Sequence, residues 1–273
     1  MQTLVVTTAR RFGRPLGSGT TSPILTECED GRRYAVKFPA PNAYTQLLVN
    51  ELLAGILIRE YGLTGVEPAL VSLPEFVDGE RELPAGHVGR LRDGRAAFAQ
   101  VQCVASLYEP DTREFGDWMD PRAQFEDRQN WETILGAVVF DTWVFNEDAR
   151  QLLARQTPTG KWDLLLFDNE GAFNRNDWRL HPRCRASTKS GGLNRRLEEM
   201  VKERNLAPFE SHIRRLEQSL DRQALCDAVS FIPGEWLKSE RLDPRRPYGL
   251  NGLIDALNRR RRQVREIFQE GSL

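Results

Sequence analysis

The stretch "FDTWVFNEDARQLLARQTPTGKWDLLLFDNEG", Phe140 to Gly171, joins three kinds of chain in a short span. An apolar run ends in a polar knot that holds Asn146, Asp148 and Gln151. Two strand-like segments, "QLLARQ" and "KWDLLLFD", then flank the tetrad "TPTG". Pro, Gly and Thr in such a cluster reverse the chain, so the pair reads as a small hairpin. Its second arm is as apolar as "LLLF" and ends in Asp168, followed by Asn169, Glu170 and Gly171. A hairpin returns the chain to where it began, so Asp148 and Asp168 are expected at the same end of one crevice.

Working outward, "NWETILGAVVFDTWVF" (Asn130 to Phe145) is apolar on nearly every side, as a buried helix is. The first hundred residues read as strands with one helix. "PILTECEDGRRYAVKF" (Pro23 to Phe38) alternates apolar and polar residues about Asp30-Gly31, a hairpin turn signal. "AYTQLLVNELLAGILIREYGL" (Ala43 to Leu63) carries apolar residues at helical spacing, with Gly62 as its C-cap. "PALVSLPEF" and "AAFAQVQCVA" read as two more strands. Pro74 to Gly94, rich in Gly, Pro and charge, reads as loop, and so does Leu107 to Pro121, which links the two halves. Helices are expected near Asn194–Arg204, Phe209–Leu220, Arg222–Ser230 and Leu250–Phe268. Strands first and helices second is α+β organisation, with residues 1–106 as a β-rich N-lobe and 107–273 as a mostly helical C-lobe.

The chain of 273 residues is 40% apolar and 28% charged, enough to bury a core over one large domain or two lobes around a cleft. Net charge is −1, so overall electrostatics favours neither a polyanion nor a membrane. Arg259 to Arg262 and Arg265 read as a solvated helix end, with cations at the negative pole, and this weighs against a nucleic-acid partner. Cys28, Cys103, Cys184 and Cys226 lie far apart, without zinc or disulfide-framework spacing. "MQTLVVTTARRFGRP" lacks the apolar core of a signal peptide, and no window is apolar for long enough to span a bilayer. A cytoplasmic protein is expected.

Two further stretches carry chemistry. Lys37 lies inside the strand "YAVKF", and Glu51 lies in the first half of the long helix. A strand lysine facing a cleft can hold phosphate oxygens as a point charge, and a helix glutamate can fix it there. "PLGSGTTSP" places Gly17, Ser18, Gly19 and Thr20 just before the hairpin that ends in Lys37. Small residues let backbone N–H groups approach phosphates, although the stretch is neither a Walker A loop nor G-x-G-x-x-G. Asp168 with a nearby amide such as Gln151 supplies the oxygen ligands a hard cation takes. Taken singly, each feature also has a plain structural reading as a surface lysine, a helix cap or a turn residue.

Together these segments resemble the HipA-like kinase family, in particular its short stand-alone branch. The resemblance rests on "GRRYAVKF", "VNELLAGILIREYGL", "VVFDTWVFNEDARQ", "LLLFDNEGAF" and "IPGEWL" with the amphipathic helix after it. It implies a protein-kinase-like bilobal fold and ATP- and Mg²⁺-dependent phosphorylation of a serine or threonine, including autophosphorylation. It implies that Lys37 contacts the nucleotide phosphates, that Asp148 is the catalytic carboxylate with Asn146 as its Asn-x-Asp partner, and that Asp168 binds Mg²⁺. The family's catalytic loop has His two residues after the Asp and Asn five after; here Arg150 and Leu153 stand there, and Gln151 is the amide left for the metal. That departure keeps open a catalytically weakened, pseudokinase-like binding module. A small-molecule hydroxyl is the other acceptor class the fold allows.

Overall fold

The computed structural model describes residues 3–17, 22–38, 45–97, 101–114, 127–148, 150–175, 178–180, 206–238 and 249–270. Five strands close a barrel in the order β1 (Val5–Pro15), β2 (Ile24–Cys28), β3 (Arg33–Lys37), β5 (Gln102–Leu107) and β4 (Pro68–Ser72). The Asp30-Gly31 hairpin forms as read, pairing β2 with β3 antiparallel from Ile24↔Val36 to Glu27↔Arg33. The period of two then sorts the barrel's side chains. Val36, Ala69, Val71, Cys103 and Ala105 fill the interior, while Leu70 and Val104 face outward into a second, larger core. Lys37 pairs with Val104 across β3 and β5, so the lysine leaves the barrel on that outer face.

Helix α1 (Thr45–Glu60) lies against this face and packs on β4 and β5. Every residue from Thr45 to Ile58 is buried, Asn50 and Glu51 among them. The helix stops as its sequence predicts. Gly62, at φ +82°, donates to Arg59 O at 2.9 Å, and Leu63 donates to Ile58 O at 3.0 Å, the paired bonds of a Schellman cap. The chain then crosses to the second sheet, where Val66 N donates to Leu166 O and Leu166 N to Thr64 O, both at 3.0 Å. The helix that carries Glu51 is thereby tied to the strand that leads to Asp168.

That second sheet has three strands: β6 (Thr112–Glu114), β7 (Gln151–Gln156) and β8 (Trp162–Phe167). The β7–β8 hairpin forms as expected, and Gln151 pairs with Phe167 at its open end. Ahead of it runs α3 (Arg128–Val144), capped at its start by Asp127, whose carboxylate accepts from Gln129 N and Asn130 N. Helices α4 (Glu210–Ser219), α5 (Arg222–Val229) and α6 (Leu250–Glu270) complete the larger core around α3. With strands and helices thus segregated, the chain is α+β. No helix among the described residues is long and apolar enough to cross a membrane.

Four expectations need correction. Pro74 to Gly94 is not all loop: it holds a 3₁₀ turn at Glu80–Glu82 and most of α2 (Ala85–Ala97). Its glycines hid a helix that tertiary packing holds, with Leu91 wholly buried in the barrel core and Val88 packed beside it. Ala96 and Ala97 accordingly end α2 rather than begin a strand, and β5 starts at Gln102. The linker from Leu107 contributes β6. The arginine cluster is solvated only in part, at Arg259 and Arg262. Arg260 and Arg261 are buried, and Arg260 donates to the carbonyls of Thr142 and of Trp143 (2.8 Å from Nε), closing the C-terminus of α3. The expected helix at Asn194–Arg204 lies outside the described residues.

Candidate active site

The sequence places one ammonium and three carboxylates at one crossing of strand, helix and loop. Lys37 Nζ donates to Glu51 Oε2 at 3.1 Å, Asp168 Oδ1 at 2.9 Å and Glu170 Oε1 at 2.8 Å. One ammonium thus faces three carboxylates, a local excess of negative charge. Burial alone would lower the lysine's pKa, but the carboxylates outweigh it and hold the group above its ordinary value, so Lys37 is charged. Burial pushes the Glu51 carboxyl up, against the pull of Lys37 and of the Asn169 N–H that donates to it at 2.7 Å. Asp168 is the most open of the three carboxylates, with a side chain 29% exposed against 4% for Glu51 and 11% for Glu170.

Lys37, Glu51 and Asp168 therefore meet, as anticipated, and Gln151 joins them by donating from Nε2 to Asp168 Oδ2 at 2.8 Å. Asp148 sits on the adjoining loop. Asn146 is buried and braces that loop from within: its Nδ2 donates to Asp141 Oδ1 at 3.3 Å and its Oδ1 accepts from Asp148 N at 3.4 Å. Gly171 presses against both residues. A Cβ there would lie 2.6 Å from Asp148 Oδ2 and 2.8 Å from Asn146 Oδ1, so only glycine permits this approach of the two loops. Gly17 ends β1's extension in the left-handed region at φ +83°, while Ser18, Gly19 and Thr20 lie outside the described residues.

Sequence reasoning assigned no role to several residues that build the site. Glu170 is the third carboxylate on Lys37, one turn residue among others until the fold aims it. Asn50, wholly buried beside Glu51, donates from Nδ2 to the carbonyls of Glu170, Ala172 and Arg175 at 2.9, 2.8 and 2.7 Å. Trp178 Nε1 in turn donates to Asn50 Oδ1 at 2.8 Å. Arg150, at the position of the expected His, spans the two loops. It pairs with Asp141 through Nε (3.0 Å) and its second terminal nitrogen, and donates to Asn169 Oδ1 at 2.7 Å and Phe167 O at 3.3 Å. The signal was present in "VVFDTWVF": a lone carboxylate in an apolar helix needs a buried partner.

The loop after Gly171 is unusual. Phe173, Asn174 and Arg175 have φ of +60°, +59° and +50° in succession. Each non-glycine residue in that region costs about 1–2 kcal/mol. Phe173 N and Asn174 N donate to the carbonyls of Val144 and Phe145 at 2.9 and 3.0 Å, and Asn50 holds Arg175 O, so the run is fixed from both sides. It ends with Arg175 donating to Asp148 Oδ1 at 3.3 Å.

The fold is that of solved kinases. The Helicobacter pylori proinflammatory kinase CtkA superposes with a TM-score of 0.59 at 11% identity, over 98% of this chain and 97% of that one. The Golgi casein kinase gives 0.52 at 11% identity, over 98% and 72%. Hydra Fam20, solved with sugar, gives 0.52 at 12% identity, over 98% and 85%. The chain itself belongs to the HipA-like kinase family, whose model matches residues 10–263. Membership places it among the phosphotransferases. No curated protein sequence matches it.

Proposed function

We propose that this chain transfers the γ-phosphoryl group of ATP, with Mg²⁺, to a serine or threonine hydroxyl, its own included, and that it does so between a β-rich and a helical lobe divided near residue 106. The observation that carries this reading is the meeting of Lys37 with Glu51, Asp168 and Glu170 in one crevice. An excess of carboxylate around a single ammonium suits a divalent cation bridging to phosphates. Among the described residues no cluster of three His, Cys, Asp or Glu forms a complete metal cage. Mg²⁺ takes one or two carboxylates and leaves the remaining positions to substrate oxygens and water. Asp168 would hold it, and the Gln151 amide, turned to present its oxygen, would serve as the second ligand. The cation, when bound, neutralises charge on the phosphates.

The protein's own contribution is positioning. Glu51 keeps Lys37 aimed at the phosphates, and Arg150 locks the Asp168 loop to α3 through Asp141. Asp148, braced by Asn146, takes the acceptor's proton. Transfer would then rest on orientation and preorganised charge rather than on covalent chemistry.

The test combines thermal shift with transfer from radiolabelled ATP. Asp168→Ala should lose the Mg²⁺-dependent stabilisation, which for the wild type is about 2.7 kcal/mol at nucleotide 100-fold above Kd. Asp148→Ala should keep that stabilisation and lose transfer. Wild-type turnover in Asp148→Ala would overturn the assignment. One observation favours a second reading, a nucleotide-binding module without turnover: Leu153 lies within β7 opposite Leu165 and offers no metal ligand. Mg²⁺-dependent stabilisation with no transfer by the wild type would select it.

A further inference from the structure

Among the described residues three cations bond to the two loops: Lys37, Arg150 and Arg175. Lys37 is committed to three carboxylates. Arg150, its side chain 7% exposed, is committed to Asp141, Asn169 and a carbonyl. Arg175 differs. Its side chain is 37% exposed and that of Asp148 is 38% exposed, and the two form an ion pair at 3.3 Å. The pair therefore stands at the open side of the loops. The costly left-handed run 173–175, anchored by Asn50, has the effect of delivering this guanidinium to this carboxylate. A fork of five donors uses little of its capacity on one carboxylate oxygen, and what remains matches phosphate geometry.

We propose that Arg175 is a further catalytic residue, its guanidinium binding the γ-phosphoryl oxygens beside Asp148 during transfer; the proposal rests on the phosphotransferase reading of the site. In the step, the acceptor oxygen forms a bond to the γ-phosphorus. The bond from that phosphorus to the β,γ-bridging oxygen breaks, and its electron pair leaves with ADP. The hydroxyl proton passes to Asp148 and then to water. Arg175 neither gains nor loses a proton. It stabilises the charge on the equatorial oxygens as they pass from donor to acceptor, and it is then free of Asp148, whose carboxylate is left to receive the proton.

The experiment uses the full chain and compares wild type, Arg175→Ala, Arg175→Lys and Asp168→Ala. Calorimetry reads the affinity for Mg-ADP alone and with aluminium fluoride, a stand-in for the phosphoryl group in flight. ADP formation from Mg-ATP reads turnover. Arg175→Ala is expected to keep Mg-ADP affinity within about threefold, to lose the tightening by aluminium fluoride, and to lower kcat about 10²–10³-fold. Arg175→Lys should recover part of both. Unchanged tightening in Arg175→Ala overturns the proposal, as does a wild type that binds Mg-ADP without any tightening. Loss of Mg-ADP affinity in Arg175→Ala overturns it too, by assigning Arg175 to loop shape alone. If Asp168→Ala binds Mg-ADP as the wild type does, the reading of the site fails, and the proposal fails with it.

Discussion

Lys37 and Arg260 are both buried cations, and they are satisfied in different ways. Arg260 lies at the junction of α3 and α6, 1% exposed, donating to the carbonyls that α3 leaves unpaired at its end and covering the Phe145 ring at 5.7 Å. Lys37 lies at the junction of barrel, α1 and the loop after β8, where three carboxylates meet it. The first arrangement closes a helix end and fixes where the loop from Asn146 begins. The second leaves negative charge over, which is costly unless something else cationic shares it. The contrast separates a lock from a site: helix-end carbonyls hold a shape, whereas surplus carboxylates call for a ligand.

Replacing each cation by methionine sharpens this. Lys37→Met should cut phosphoryl transfer by about 10²-fold or more. It should also destabilise the fold by about 3–5 kcal/mol at neutral pH, because three carboxylates lose their counter-charge. Burial already pushes the Glu51 carboxyl up, and loss of Lys37 removes the pull that opposes it, so the folded state binds more protons there than the unfolded chain does. The penalty is therefore full at pH 8 and shrinks toward pH 5, as urea denaturation at the two values would show. Arg260→Met should cost less, about 1–3 kcal/mol of stability, with Mg-nucleotide affinity within twofold of wild type. A larger loss of binding in Arg260→Met than in Lys37→Met would break the distinction.

His212 should give the smallest effect. It packs against α3 at Gly136, and burial lowers its pKa against the opposing pull of Glu132, 3.0 Å from Nε2. The folded state then binds fewer protons than the unfolded chain, so stability is full above the ordinary histidine value near 6.5 and declines as pH falls below it. A His212→Gln variant should show a shallower fall in Tm between pH 7.5 and 5.5.

Much of this was legible in residue order. The Asp30-Gly31 turn, the Gly62 cap and the β7–β8 hairpin follow from local backbone chemistry, so their signals are short and self-contained. Lys37 and Asp168 were found because a charge beside an apolar run stands out. What escaped depends on packing. Helix α2 is glycine-rich and exists because Leu91 enters the barrel core. Glu170 sits among polar neighbours and Asn50 in an apolar helix, and nothing in their spacing shows that loop and helix meet. Arg260 looked exposed because a run of four arginines hides which of them face inward.

Lys37, Glu51 and Asp168 are proposed to form one Mg²⁺-nucleotide site. Calorimetric titration of a non-hydrolysable ATP analogue into the full chain, with and without Mg²⁺, tests it most directly. Saturable binding that Mg²⁺ tightens at least tenfold, and that Lys37→Met and Asp168→Ala each abolish, is the predicted result. Binding indifferent to Mg²⁺ and to both substitutions, or no binding at all, would contradict it.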